Sequence, residues 1–126
     1  MLMRVYRIQD DDGFGPYCPY DRGVPVSQRR VRIAKYLDLK HVGPLYRHDV
    51  ELSDKESEAH CYFFGFRTLD ALKEWFRGDL QLLYENGFKC YVYDVKKRYT
   101  RRGKHQLAFN IRQSRVEKIL SLDDLG

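Results

Sequence analysis

The stretch FKCYVYDV, residues 88–95, decides the fold class of this chain because its residues divide between the two faces of a β-strand. Residues 105–111 form a second such strand, and a short basic segment lies between the two. This arrangement predicts an antiparallel hairpin. The two faces of the first strand are Cys90, Val92 and Asp94 on one side, and Tyr91, Tyr93 and Val95 on the other.

Outside the hairpin, the pattern alternates between strands and short helices. Ser27, Thr68 and Asp79 are predicted N-caps, because their side-chain oxygens can accept hydrogen bonds from a first helical turn. The order predicts one α+β domain over 1–126, with a mixed or antiparallel sheet and flanking short helices. The further elements are a strand at 3–9, a loop at 10–26, a helix at 28–38, an apolar strand at 60–66, two short helices after Thr68 and Asp79, a surface loop at 49–59, and a helix or strand at 113–122.

Composition excludes several classes of protein. Hydrophobic residues make up 43% and charged residues 33% of the 126 residues, which is typical of a folded globular domain. The three cysteines, Cys18, Cys61 and Cys90, lack CxxC spacing, so neither a disulfide framework nor a zinc site is expected. The four histidines lack metal spacing. No long apolar run or basic leader is present, so we expect a cytoplasmic protein without a membrane partner.

The net charge of +5 is unevenly distributed. One basic cluster also carries an aromatic ring, a combination that can bind phosphates and stack a base. The alternatives are a solvated turn that blocks edge aggregation and a solvated helix face. The predicted partner- or nucleic-acid-binding residues are Lys96, Lys97, Arg98, Tyr99, Arg101, Arg102 and Lys104 in the first cluster, and Arg29, Arg30 and Arg32 in the second.

Three patches far apart in the sequence, 4–7, 62–68 and 103–109, each have the pattern of a buried strand with a polar residue at its edge. Such patches meet only by folding. A small nucleotide site is often built in this way, and a plain β core has the same pattern. Arg7 could hold a phosphate beside the glycines of 13–15. Alternatively, it is a solvated edge residue whose stem packs on the sheet.

The three patches resemble the ADP-ribosyltransferase-like fold. The resemblance implies an NAD site in which Arg7, or Arg4, contacts the cofactor. Tyr62 and Thr68 would support the nicotinamide ribose, and Gln106 would lie where the family has its catalytic Glu. A neutral amide offers a cationic transition state only a dipole, so Gln106 favours binding without turnover. The alternative for Gln106 is an edge-strand amide that bonds to the backbone.

The chain also resembles small phage-encoded proteins. This resemblance implies an accessory protein that binds and occludes a host protein or protein–nucleic-acid complex, as an anti-CRISPR inhibitor of host defence does. No cofactor is expected for that role. Two alternatives remain open. One is an NAD-dependent ADP-ribosyltransferase, and the other is a nucleic-acid-binding domain.

Overall fold

The computed structural model describes residues 1–18, 20–21, 23–40 and 61–125, and the predicted loop at 49–59 lies outside them. The α+β fold class, with antiparallel sheets and short helices, is confirmed. The elements are β1 Leu2–Gln9, β2 Tyr20–Asp21, β3 Val24–Pro25, α1 Gln28–Lys40, β4 Tyr62–Gly65, α2 Leu69–Trp75, α3 Leu80–Glu85, β5 Lys89–Lys96, β6 Thr100–Arg102, β7 Leu107–Asn110 and β8 Ser114–Leu120.

The first antiparallel sheet has the order β1–β5–β8, with β5 in the centre. The last predicted element, left open as a helix or strand, is therefore a strand. The two predicted faces of β5 are confirmed, because they pack into different core clusters. Tyr93 lies opposite Val5 in the cluster between the two sheets, whereas Cys90 lies opposite Ile8 in the cluster beneath the helices.

The second sheet has the order β4–β7–β6 and meets the first at β1. Tyr6 and Phe66 exchange two backbone hydrogen bonds of 2.8 Å each in an isolated antiparallel bridge. Gly65 permits this approach, because a Cβ atom there would lie 2.6 Å from Val5 Cγ1 and 2.8 Å from Tyr6 O. The second edge of β1 is thus covered at this bridge.

The predicted hairpin between 88–95 and 105–111 is wrong. Strand β5 pairs with β1 and β8 on its two edges, and β7 pairs with β4 and β6. A 3-10 turn at Lys97–Tyr99 ends β5, and the chain then enters β6 in the second sheet. Alternation shows which face a side chain occupies, but it does not identify the neighbouring strand. The basic segment therefore connects two sheets.

The three α-helices of the described residues cover the face of the first sheet that bears Ile8 and Cys90. Ser27 and Thr68 cap helices as predicted: Ser27 Oγ accepts from Arg30 N at 3.1 Å, and Thr68 Oγ1 accepts from Ala71 N at 3.1 Å. The buried residues of this cluster are Ile8, Ile33, Leu37, Phe66, Leu72, Phe76, Leu83, Phe88, Cys90 and Leu122.

Asp79 is the N-cap residue of α3, as predicted, but it does not cap the helix through its side chain. The side chain is buried, and its carboxylate accepts hydrogen bonds from Tyr36 Oη at 2.7 Å and Lys40 Nζ at 2.6 Å. A buried carboxylate is stabilised more by a cation than by one backbone N–H. Asp79 therefore ties α1 to the start of α3.

Candidate functional site

Arg7 lies on the face of β1 that points toward the second sheet, and its side chain is buried. Its guanidinium group donates from Nε to Gln9 Oε1 at 3.0 Å, from Nη1 to Phe64 O at 2.9 Å and from Nη2 to Gly13 O at 3.3 Å. It also lies 4.5 Å from the centroid of the Phe63 ring. The alternative in which Arg7 is a solvated edge residue is therefore wrong, because the bridge to Phe66 brings β4 over it.

The buried guanidinium group of Arg7 forms no ion pair with a carboxylate among the described residues. Burial lowers the pKa of Arg7, because removing a cation from water disfavours its charged form. Asp10 is nearby, but its carboxylate forms an ion pair with Arg30 and accepts from the backbone N–H groups of Asp12 and Phe14. Within the described residues, no carboxylate lies at ion-pair distance from Arg7.

Arg7 lines a cavity of about 390 Å³ in which residues from all three sequence patches meet. Phe64 and Phe66 come from the second patch, and Gln106 comes from the third. Gln106 is buried just before β7, and its backbone oxygen accepts from Gly103 N at 2.9 Å. The complete lining of described residues is Arg7, Ile8, Gly15, Pro16, Tyr17, Cys18, Asp38, Phe64, Phe66, Phe76 and Gln106.

Tyr62 and Thr68 lie outside this cavity. The Thr68 hydroxyl caps α2 at an exposed position. The Tyr62 ring is half-buried on β4, and the guanidinium carbon of Arg101 lies 5.7 Å from its centroid. Of the four residues that the NAD resemblance requires, the fold brings only Arg7 and Gln106 to one cavity.

A second groove, of about 370 Å³, lies at the other end of the first sheet. Lys96, Arg98 and Tyr99 come from the basic cluster that the sequence identified. Arg112 and Arg115 also line this groove and were missed, because they stand apart from that cluster in the sequence. We call this the basic groove, and its lining is Leu2, Asp94, Lys96, Arg98, Tyr99, Arg112, Gln113, Ser114 and Arg115.

The four cations of the basic groove are exposed. None of them forms an ion pair with a residue that the structure describes, although Asp94 also lines the groove. Arg98 contacts the Tyr99 ring, with its guanidinium carbon 4.9 Å from the centroid. The remaining predicted cations of this cluster, which do not line the groove, are Lys97, Arg101, Arg102 and Lys104.

The second predicted basic cluster, on α1, does not act as one surface. Arg30 Nη1 lies 2.8 Å from Asp10 Oδ2, its Nη2 donates to Asn86 O at 2.9 Å, and its guanidinium carbon lies 4.1 Å from the Phe88 centroid. The charge of Arg30 is therefore paired inside the fold, and its role in binding a partner stays a prediction. Arg29 and Arg32 are exposed.

The cysteines differ in accessibility. Cys18 is exposed at the cavity, whereas Cys61 and Cys90 are buried. Burial raises the pKa of the Cys90 thiol to about 12, which keeps it protonated and unreactive at neutral pH.

Across the described ranges, no group of three or more His, Cys, Asp or Glu side chains is arranged to hold a metal ion. No helix of the described part of the chain is long and apolar enough to cross a membrane.

Comparisons with known proteins identify a family but not a structural relative. The family model described as "Bacteriophage T4 Y00F protein" matches residues 3–123. No curated protein and no solved structure matches the chain. The ADP-ribosyltransferase-like resemblance gains no support from them and stays a prediction. The phage resemblance is confirmed, because the match spans nearly the whole sequence: the chain belongs to the bacteriophage T4 Y00F protein family.

Proposed function

We propose that this phage protein is an accessory factor that binds the nucleic acid of a host protein–nucleic-acid complex through the basic groove and thereby occludes it. One observation carries the proposal. Lys96, Arg98, Arg112 and Arg115 line one groove, and none has an ion-pair partner among the described residues. Elsewhere, Arg4, Arg30, Lys40 and Lys89 are each paired with an acid.

The physical reason is the release of counterions. A phosphate backbone holds condensed cations, and a protein that replaces them with its own Lys and Arg side chains gains their entropy of release. Cations already paired within the fold contribute less, because binding must first break the internal pair. Tyr99, beside Arg98, adds an aromatic face that can stack on an exposed base. The groove therefore suits single-stranded nucleic acid or an exposed strand in a complex.

The narrower form of this proposal is inhibition of a host defence complex, as by an anti-CRISPR protein. Membership of a phage family supports an accessory role, and a defence complex with bound nucleic acid would present the polyanion that the groove fits. Such a protein acts in the host cytoplasm. The test is capture of a nucleic-acid-containing host complex by the wild-type protein, with loss of capture when the groove is altered.

The direct experiment compares two double variants of equal charge. Arg98→Glu with Arg112→Glu alters the groove, and Arg29→Glu with Arg32→Glu alters the exposed face of α1. Each lowers the net charge by four, from +5 to +1. We expect the groove variant to lose about 100-fold in affinity for single-stranded oligonucleotides, and the α1 variant to lose less than about threefold.

A salt series supplies a second measurement. With four cations on phosphates, the slope of log affinity against log salt is expected near −3 for a single strand. Equal losses in both double variants would show that net charge, and not the groove, drives binding. A slope near zero would contradict a phosphate-binding groove altogether. Both variants must unfold at the wild-type temperature for either comparison to count.

The enzyme alternative stays a prediction supported by one observation: Arg7 and Gln106 line the same cavity. Labelled NAD incubated with the protein and host lysate would test it. Transfer of label that is lost in Gln106→Ala would favour ADP-ribosyl transfer. The absence of both label transfer and any shift in unfolding temperature with NAD would exclude it.

A further inference from the structure

The cavity at Arg7 is separate from the basic groove, since no residue lines both. A guanidinium group has five N–H donors, and three of those of Arg7 have acceptors: Gln9 Oε1, Phe64 O and Gly13 O. Two N–H groups have no acceptor among the described residues. A buried cation with donors to spare and no carboxylate in contact is suited to an acceptor from a ligand.

Asp38 brings the opposite chemistry to the same cavity. It lies on α1, is partly buried, and lines the cavity. Its carboxylate makes no hydrogen bond or ion pair with the described part of the chain, and it is too far from Arg7 to pair with it. The cavity therefore presents donors from one side chain and acceptors from another, at separate places on its wall.

Four of the eleven described residues that line the cavity are aromatic. Phe64, Phe66, Phe76 and Tyr17 all line the cavity, and Phe64 is 40% exposed. Such rings favour the flat face of an aromatic ligand by stacking and by area burial. The volume of about 390 Å³ lies in the range of small-molecule sites and admits a purine with its sugar.

We propose that this cavity binds a purine base of the guanine type. The spare N–H groups of Arg7 donate to the O6 and N7 acceptors, the pairing that Arg makes with guanine in nucleic-acid recognition. The Asp38 carboxylate accepts from the N1–H and 2-amino donors on the other edge of the base. Adenine fits poorly, because it has an amino group at position 6 and no hydrogen at N1.

A neutral nucleoside is the appropriate probe, because it has no phosphate that could bind in the basic groove. Trp75, the one tryptophan of the chain, reports on the cavity. Its Nε1 donates to Tyr17 Oη at 2.9 Å, and its ring lies 5.8 Å from that of Phe66. Guanosine should change Trp75 fluorescence saturably, with adenosine at least about tenfold weaker and inosine, which lacks the 2-amino group, intermediate.

The variants separate binding from folding. Arg7→Met removes three internal hydrogen bonds and could prevent folding, so Asp38→Asn is the decisive change. We expect it to weaken guanosine about tenfold at an unchanged unfolding temperature, because it loses the charged acceptor. Glu74→Gln is the matched control, since Glu74 is 75% exposed and outside the cavity, and it should leave guanosine affinity unaltered.

Three outcomes would overturn the proposal: equal affinity for guanosine and adenosine, no saturable signal in either fluorescence or calorimetry, or an Asp38→Asn variant that binds guanosine as the wild type does. Arg98→Glu with Arg112→Glu should leave guanosine affinity unchanged while weakening oligonucleotide binding about 100-fold. Guanosine binding therefore tests the cavity, and oligonucleotide binding separately tests the proposed function of the basic groove.

Discussion

The basic residues of α1 and those of the basic groove differ in their surroundings in the fold. On α1, Arg30 is neutralised by Asp10, is held by Asn86 O, and packs on Phe88. At the basic groove, four exposed cations have no ion-pair partner among the described residues. The comparison teaches that the density of basic residues along a chain does not identify a binding surface. The position of the acids in the fold decides which cations remain available.

Three acids that form ion pairs, Asp10, Asp11 and Asp79, lie near the N-terminal loop and the helices. Asp10 and Asp11 follow β1 directly, and they form ion pairs with Arg30 and Lys89. Asp79 forms an ion pair with Lys40. The basic groove lies at the other end of β1, beside Leu2, beyond the reach of these three carboxylates. The basic groove and the ion pairs of Asp10 and Asp11 therefore lie at opposite ends of the first sheet.

The largest effect is expected from Arg30→Met, which breaks a partly buried ion pair. The side chains of Arg30 and Asp10 are 17% and 8% exposed, so Asp10 would be left as a desolvated charge. We expect the free energy of unfolding to fall by about 3 kcal/mol, measured by urea denaturation. Arg29→Met, at an exposed position, is the control and should cost less than about 0.5 kcal/mol.

If Arg30→Met also abolished oligonucleotide binding without unfolding the protein, the distinction between the two clusters would fail. A loss of stability below about 1 kcal/mol would show that the pair with Asp10 contributes little.

A smaller effect is expected from Arg115→Ala in the basic groove. Removing one phosphate-binding cation should weaken oligonucleotide binding by about fivefold, uniformly across sequences, and reduce the steepness of the salt dependence by about 1. Fluorescence anisotropy at several salt concentrations measures both quantities. The exposed Lys118, also on β8 and outside the groove, provides the control in Lys118→Ala. Equal losses in the two variants would contradict a localised groove.

The smallest effect concerns the exposed acid Asp11. Hydrogen bonds from Lys89 Nζ at 3.0 Å and Tyr91 Oη at 2.9 Å lower the pKa of Asp11. A lowered folded-state pKa contributes stability that is present above the unfolded value and lost as pH falls through the folded value. Asp11→Asn should therefore reduce the unfolding temperature slightly at neutral pH and make no difference near about pH 2.

Asp12→Asn is the matched control for this change, because Asp12 is also exposed and its carboxylate forms no ion pair with the described residues. A difference between Asp11→Asn and wild type that persisted at the lowest pH would show that the effect is not electrostatic. The difference in unfolding temperature would then come from a change in the turn at 10–14.

Much of the local structure could be predicted from the sequence. Side-chain capping by Ser27 and Thr68 is confirmed, and so are the strands predicted at 3–9 and 88–95 and, over Tyr62–Gly65, the strand predicted at 60–66. These features depend on contacts within a few residues, which sequence patterns encode directly. Asp79 fits the same capping pattern, but it is captured by Lys40 and Tyr36 from another helix. Local preference lost there to a stronger tertiary interaction.

The sequence predicted only some of the residues that line the two candidate sites. Arg7 and Gln106 were identified, but Asp38 was missed because an acid on a helix has no local sign of lining a cavity. Arg112 and Arg115 were missed for a similar reason, since their register on a turn and a strand brings them to the basic groove. Tyr62 and Thr68 were expected at the Arg7 site and lie elsewhere.

The sequence by itself determined the fold class, the strand faces and the phage family of this protein, because periodicity and whole-chain similarity are properties of the chain. The tertiary structure alone decided which strands are neighbours, which cations form ion pairs within the fold, and that Arg7 is buried. Those outcomes depend on contacts between residues distant in sequence, such as the bridge of Tyr6 to Phe66 and the pair of Arg30 with Asp10. No local pattern carries that information.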